Sequence, residues 1–434
     1  MRPEDLHVIV LARAVYPLHP VGGLERHVYD LVRHLLKRSV RVTVVTRPPR
    51  DGAGELPGDV ETGRLEWRFV PYWTFPFAGR RGTTILDRIS AYPYFGWRAG
   101  RVAADLVRQG GVHVVHGLGA SVFGYAWARR RDRLGTVPLI FNPQGLEEFG
   151  ATDPSRAPLK VIAYRPLQMV VRACASAADR IIATDRSLRP TVLAHLGVPD
   201  RRVSVVPNAV DLDACERLAG PDEGRIMRSD LGVGADEAVL LSVARLEQNK
   251  GLDVLARALA RVAARASTGA HPPRPWRWVL IGDGPDRSRL TRLVGELGLG
   301  SRTTMLGRVS DATLHAWYEA ATLFVHPTLY EGSSLVTLEA MAHRRPVVAT
   351  RAGGLPDKVV PGETGWLVSP GDAEALADAL AEALALSATD GLAKMGAAGR
   401  ELVERSFSWD AVTDRLLALY AEVLGQRADP ASRG

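Results

Sequence analysis

The chain has 434 residues, 46% of them hydrophobic, and a net charge of +7. That length exceeds what one hydrophobic core organises, so two domains are expected, and a composition without low-complexity runs excludes a disordered or fibrous chain. No apolar stretch approaches the roughly 20 residues needed to cross a bilayer, and only Cys174 and Cys215 are present, which supports neither a disulfide framework nor a Cys-based metal site.

The charge is unevenly spread. Lys plus Arg outnumber Asp plus Glu by 30 to 18 in residues 1–210 and are outnumbered 25 to 30 in residues 211–434. A basic first half suits an acidic acceptor or an anionic membrane surface, although Arg exceeds Lys by 50 to 5 and so pervades the chain. No nucleic-acid motif accompanies the charge.

In chain order, Glu4 and Asp5 precede the apolar run Val8 to Leu11, which reads as a first buried strand rather than a signal peptide, and residence in the cytoplasm is expected. The loop Val21-Gly22-Gly23 follows, and a helical pattern runs from Leu24 to Leu36. Gly22 and Gly23 let the backbone approach a ligand phosphate at the start of that helix. Arg41 to Thr46 is a second strand, and the alternation predicts a parallel sheet. Between Phe69 and Arg101 the rhythm lapses: Phe69, Tyr72, Trp73, Phe75, Phe77, Tyr92, Tyr94, Phe95 and Trp97 are interleaved with Arg80, Arg81, Arg88, Arg98 and Arg101. Rings with arginines suit a membrane interface or an amphipathic acceptor, and equally an ordinary helix and loop. The strand Val112 to Gly117 ends in His116-Gly117, at the edge where open parallel sheets bind ligands, so His116 is placed for function and His113 for packing. Glu147 and Glu148 read first as a solvated loop, with acceptor contact as the alternative. Ser187 is a candidate helix cap, and Val203 to Val210 leads into a linker, where Asp211-Leu212-Asp213 is read as turn chemistry and not as a metal motif.

A second strand and helix series starts at Val239 to Ala244 and delivers Arg245 and Lys250-Gly251 at a strand-to-helix junction, a fork and a point charge for phosphate oxygens. Gly282-Asp283-Gly284-Pro285 lacks the third glycine of a dinucleotide fingerprint. The strand Leu323 to His326 leads to Tyr330-Glu331-Gly332-Ser333-Ser334-Leu335-Val336-Thr337-Leu338-Glu339-Ala340-Met341-Ala342. A helix starting near Ser334 places Glu339 inside it and Glu331 just before it. The unpaired amides of Gly332, Ser333, Ser334, Leu335 and Val336 then form an anion site, with two carboxylates for sugar hydroxyls. Ala352 to Asp357 is a glycine turn, Gly365 to Val368 ends the second sheet, Ala373 to Leu386 is a helix, and another follows Phe407-Ser408-Trp409 through Leu424.

Glu331 and Glu339, seven residues apart after Tyr330 and before Ala340-Met341-Ala342, resemble the signature of retaining glycosyltransferases of family 4. Further blocks fall in the family's order over nearly the whole chain. The resemblance implies an α/β chain of GT-B fold, two Rossmann-like doubly wound parallel-sheet domains facing a cleft. It implies an acceptor-side domain over 1–208, a nucleotide-sugar donor domain over 209–406 and a helix over 407–426 that crosses back onto the first domain. Residues 427–434 are expected to form a frayed tail.

By the same resemblance, His116 lies near the donor sugar and Glu331 holds its hydroxyls and stabilises the anomeric carbon. Glu339 takes the ribose, Arg245 and Lys250 grip the diphosphate, Val309 touches the base, and the Gly22-Gly23 loop and residues 332–336 line the donor. Relatives frequently carry His where Gln144 stands; its neutral amide can hydrogen-bond but not take up a proton. No metal and no cofactor is implied beyond a UDP- or GDP-linked sugar substrate. The expected reaction is metal-independent, retaining hexosyl transfer to a glycan, lipid-linked, polysaccharide-precursor or small-molecule acceptor, with peripheral contact at the inner membrane face left open. A nucleotide-sugar 2-epimerase and a non-catalytic nucleotide-sugar-binding partner of a polysaccharide pathway are the alternatives.

Overall fold

The computed structural model describes the chain apart from residues 1, 20–21, 50–61, 75–82, 133, 135–136, 145, 151–157, 269–273, 388 and 429–434. Phe75, Phe77, Arg80 and Arg81 of the aromatic and basic run therefore lie outside the described residues, as do Val21, Gly145 and most of the expected tail. The contacts divide the chain into two compact units, Met1–Asn208 with Trp409–Gly434, and Ala209–Ser408.

The first unit is built on seven parallel strands: β1 (His7–Leu11), β2 (Arg41–Thr46), β3 (Leu65–Phe69), β4 (Val114–Leu118), β5 (Leu139–Asn142), β6 (Arg180–Ala183) and β7 (Val203–Val205), in the order β3-β2-β1-β4-β5-β6-β7. Val8, Ile9, Val10 and Leu11 are fully buried, as expected of a central strand covered on both faces. Helices Gly23–Lys37 and Trp409–Ala428 pack together in this unit, where Trp409 stacks on His34 with ring centroids 5.3 Å apart and Arg38 reaches Asp410 at 3.2 Å and Asp414 at 3.1 Å. The last helix thus continues to Ala428, past the Leu424 expected from the apolar pattern. Ser187 lies within a short turn, Arg186–Leu188, and does not cap the helix Arg189–Leu196.

The second unit carries β8 (Ala238–Val243), β9 (Trp276–Ile281), β10 (Thr303–Gly307), β11 (Leu323–His326), β12 (Val347–Thr350) and β13 (Gly365–Val368), all parallel and ordered β10-β9-β8-β11-β12-β13. Alternate side chains of one strand feed opposite cores: Leu240 and Trp278 pack against the side of helix Leu252–Thr268, and Val239, Leu241 and Val279 against Leu338 and Met341. The helix Leu335–Ala342 is thereby fastened by its apolar face, with its first turn at the C-terminal edge of the sheet.

Candidate functional site

In the second unit the loops leaving the strand ends interlock. The Leu329 amide donates to the Asn249 carbonyl at 2.8 Å, Gly282 to Gly307 at 2.8 Å, Leu246 to Asp283 at 3.1 Å and Gly354 to Gly332 at 2.9 Å. Two glycines permit close crossings around Glu331 and Lys250. Gly251, at φ +63°, and Gly353, at φ +50°, take the left-handed conformation, and a Cβ on either would overlap a backbone carbonyl oxygen, of Pro327 and of Glu331 respectively.

This interlocking brings Lys250 to Glu331. Lys250 Nζ and His326 Nε2 both donate to Glu331 Oε2 at 2.9 Å, and the Gly332 amide donates to Oε1 at 3.2 Å. Burial pushes the Glu331 carboxyl up, but the hydrogen bond and charge of His326, followed by those of Lys250, outweigh it and hold the group down at about 2. Glu331 is therefore ionised at neutral pH in a mostly enclosed place, its side chain 13% exposed.

Ser334 caps the helix, its Oγ accepting from the Thr337 amide at 3.3 Å. Leu335 and Val336 follow as the first two helical residues, so their amides have no carbonyl one turn behind them. Glu339 stands in the second turn, where the buried Tyr318 hydroxyl donates to its Oε2 at 2.9 Å. Burial and then the Glu339 charge keep that tyrosine protonated, its pKa well above the ordinary value.

Sequence reasoning missed Lys358. Its side chain is fully buried, and Nζ donates to Ser333 Oγ and to the Gly354 carbonyl, both at 3.2 Å, beneath the loop that precedes the helix. The available signal was its type: it is one of five lysines in a chain with 50 arginines, and it follows the glycine turn. Arg245 leaves β8 on the same loop as Lys250 but is 67% exposed and pairs with Glu247 at 3.1 Å. Val309, just after β10, is half-buried against the core. His326 orients Glu331, a role the sequence did not disclose.

Cys215, His315 and His343 bring their ligand atoms within 4.8 Å of one another. His315 Nδ1 and His343 Nε2 are hydrogen-bonded at 2.8 Å, His343 Nδ1 donates to Glu319 at 2.6 Å, and burial pushes the Cys215 thiol up. Asp211 caps the helix Leu212–Leu218 by accepting the Ala214 amide at 3.0 Å.

In the first unit, Gly22 caps the helix Gly23–Lys37 in extended conformation, with the Glu25 carboxylate lying against it, and Gly23 is exposed. His116 is a correction. The apolar run places the strand end at Gly117, but β4 continues to Leu118, and His116 pairs within the sheet opposite Val10 and Ile140. It is 2% exposed, hydrogen-bonded through Nδ1 to the Tyr420 hydroxyl at 2.6 Å, and burial lowers its pKa to about 3. It is a core histidine that fastens the last helix, not a residue at the strand edge.

The edge of this sheet instead holds a cavity of about 230 Å³ lined by Arg13, Arg88, Tyr92, Gly119, Gln144 and Glu148, among others. Gln144 adopts φ +65°, with its amide held by Asn142 Oδ1 at 3.0 Å.

Comparison with known proteins gives these sites a setting. Residues 21–214 match the family described as Glycosyltransferase Family 4, and residues 237–385 that described as Glycosyl transferases group 1. The D-inositol 3-phosphate glycosyltransferase of Gordonia bronchialis is 31% identical over 418 residues, covering 93% of this chain and 84% of that protein. The protein of the same name from Mycobacterium tuberculosis (strain ATCC 25177 / H37Ra) is 31% identical over 430 residues, covering 93% of this chain and 80% of its own. Among solved structures, sucrose-phosphate synthase from Thermosynechococcus elongatus superposes with a TM-score of 0.72 at 25% identity, over 97% of this chain and 99% of that one. Two all-parallel α/β units with these relatives are the GT-B fold, and the chain is a glycosyltransferase belonging to family 4.

Proposed function

We propose that the protein is a retaining glycosyltransferase, independent of metal, that moves a sugar from a UDP- or GDP-linked donor to a hydroxylated acceptor. The observation that carries this reading is the meeting of Lys250, His326 and Glu331 beside the first turn of helix Leu335–Ala342. Transfer breaks the bond between the anomeric carbon and a diphosphate oxygen, so positive charge grows on the sugar and negative charge on the leaving group. Lys250, the exposed fork of Arg245 and the amides from Ser333 to Val336 supply fixed positive potential for that leaving group, the task a divalent ion performs elsewhere, while the Gly332 amide is taken by Glu331. Lys358 adds a cation beneath the same loop.

Glu331, ionised by its partners, takes donor-sugar hydroxyls and stabilises the anomeric carbon. Glu339 takes the ribose hydroxyls, and Val309 lies against the base. Departure and attack occur on one face: the acceptor oxygen bonds to the anomeric carbon as its proton passes to the leaving phosphate oxygen, which keeps the anomeric configuration. The first unit serves the acceptor, and the names of the relatives add a phosphorylated polyol to the lipid-linked and polysaccharide-precursor classes. Exposed Trp73 and Tyr94, with Arg98 over the Trp73 ring at 5.4 Å, support peripheral contact with an anionic membrane.

Two substitutions test the division of labour. Glu331→Ala is expected to lower kcat by about a hundredfold or more with nucleotide affinity little changed, and Glu339→Gln to weaken nucleotide binding by about tenfold. Steady-state kinetics with nucleotide titration checks both, and unaltered values in the two variants contradict the assignment.

A further inference from the structure

The cavity of the first unit takes no part in the donor chemistry above. It opens at the C-terminal ends of β1, β4 and β5, the edge at which parallel sheets receive ligands. Arg13 stands two residues beyond β1, its guanidinium carbon 5.0 Å from the centroid of the Tyr92 ring. Arg88 comes from the turn before helix Tyr92–Gln109. A guanidinium held over an aromatic face keeps an edge of N–H donors that matches an oxyanion.

Gln144 and Glu148 enter from the segment after β5. A glutamine in the left-handed region is uncommon and strained, and here the strain presents the side chain at the cavity. Gln144 Nε2 is buried without a hydrogen-bond partner among the described residues, a donor group with no acceptor of its own. Glu148 is buried and offers acceptor oxygens. Two guanidinium groups against one carboxylate leave the lining net positive, and the volume admits a ligand of monosaccharide size.

We infer that this cavity is the acceptor subsite and that it selects a hydroxylated acceptor bearing an oxyanion, held by Arg13 and Arg88, with Gln144 donating to the same ligand and Glu148 accepting from a hydroxyl. The inference rests on the transferase reading, because it takes the first unit as the acceptor side. It narrows the acceptor from any alcohol to an anionic polyol, with phosphate and carboxylate as the two sources of the charge.

The test titrates the full chain, with and without bound nucleotide, with myo-inositol 1-phosphate, glucuronate and myo-inositol, observing the ligands by NMR. At least one charged probe is expected to bind about tenfold or more tightly than myo-inositol, and which of the two does so names the oxyanion. Arg13→Gln and Arg88→Gln are each expected to erase that preference, and Arg13→Lys to keep part of it. Nucleotide affinity stays within about twofold in all three variants, which reports an intact fold. No binding of either charged probe, equal binding of all three, or a preference that survives both glutamine variants overturns the inference. Loss of nucleotide binding in the unsubstituted chain strikes the donor reading instead, while the probe preference is still read directly.

Discussion

Lys358 is fully buried, with its ammonium on Ser333 Oγ and the Gly354 carbonyl. Taking a cation out of water is costly, and replacing it with an apolar side chain of similar length removes that cost together with the charge. Lys358→Met is therefore expected to leave the thermal midpoint unchanged or raised while weakening nucleotide binding by about tenfold. A calorimetric scan beside a nucleotide titration measures both, and a lowered midpoint with full affinity would make the lysine purely structural. Residues of this kind differ in how far sequence discloses them. Lys250 and Glu331 announce themselves because each follows a strand end, where a charge has a reason to be. Lys358 follows Leu355-Pro356-Asp357 and looks like a solvated turn, since burial of a single Lys leaves no periodic trace. Arg13 and Gln144 line one cavity because parallel pairing gathers distant strand ends, and Arg88 joins them from the turn before helix Tyr92–Gln109, so no spacing along the chain reports them.

At the scale of elements, the crossing of two loops holds the site together. Gly353→Ala would force a Cβ onto the Glu331 carbonyl oxygen in a backbone conformation that alanine resists. The expected result is loss of about 1–3 kcal/mol of stability together with a fall in kcat, because the loop carrying Glu331 must shift. Chemical denaturation and kinetics report the two, and unchanged values in both would mean that the crossing does not position Glu331. The packing of the last helix predicts a pH dependence. Burial lowers His27 to about 4, and lowers His116 to about 3 with a further contribution from the charge of His27. His7, His19 and His195 are lowered as well, chiefly by burial. Between the unfolded value near 6.5 and these folded values, the unfolded chain binds more protons, so stability is full above about pH 6.5 and falls as the pH drops toward 4. Glu331 acts in the same sense, its contribution present above its unfolded value and lost as the pH falls toward about 2. Thermal midpoints measured from pH 8 to 4 are expected to be flat and then to descend below about 6.5. A midpoint constant down to pH 4.5 would mean that these rings are not buried as neutral groups. His116 shows where element boundaries are hard to read: an apolar run such as Val112 to Gly117 has no internal mark of where pairing stops, and one further strand residue, Leu118, turns an edge position into a core one.

For the whole chain, the alternation of strand and helix and the two glycine-marked strand ends made two parallel α/β units legible. The strand order was not legible, because placing β1 and β8 inside their sheets depends on crossovers that leave no sequence mark. Family membership supplies the reaction class, and the central claim beyond it is that protein cations and a helix start, rather than a divalent ion, hold the leaving diphosphate. The most direct measurement is calorimetric titration of the full chain with UDP, GDP and ADP, each in EDTA and again with magnesium. Micromolar or tighter binding of one nucleotide in EDTA, changed by less than about threefold on adding magnesium, is the predicted result and names the donor series. Binding that appears only with magnesium, or none of the three nucleotides binding, would contradict it.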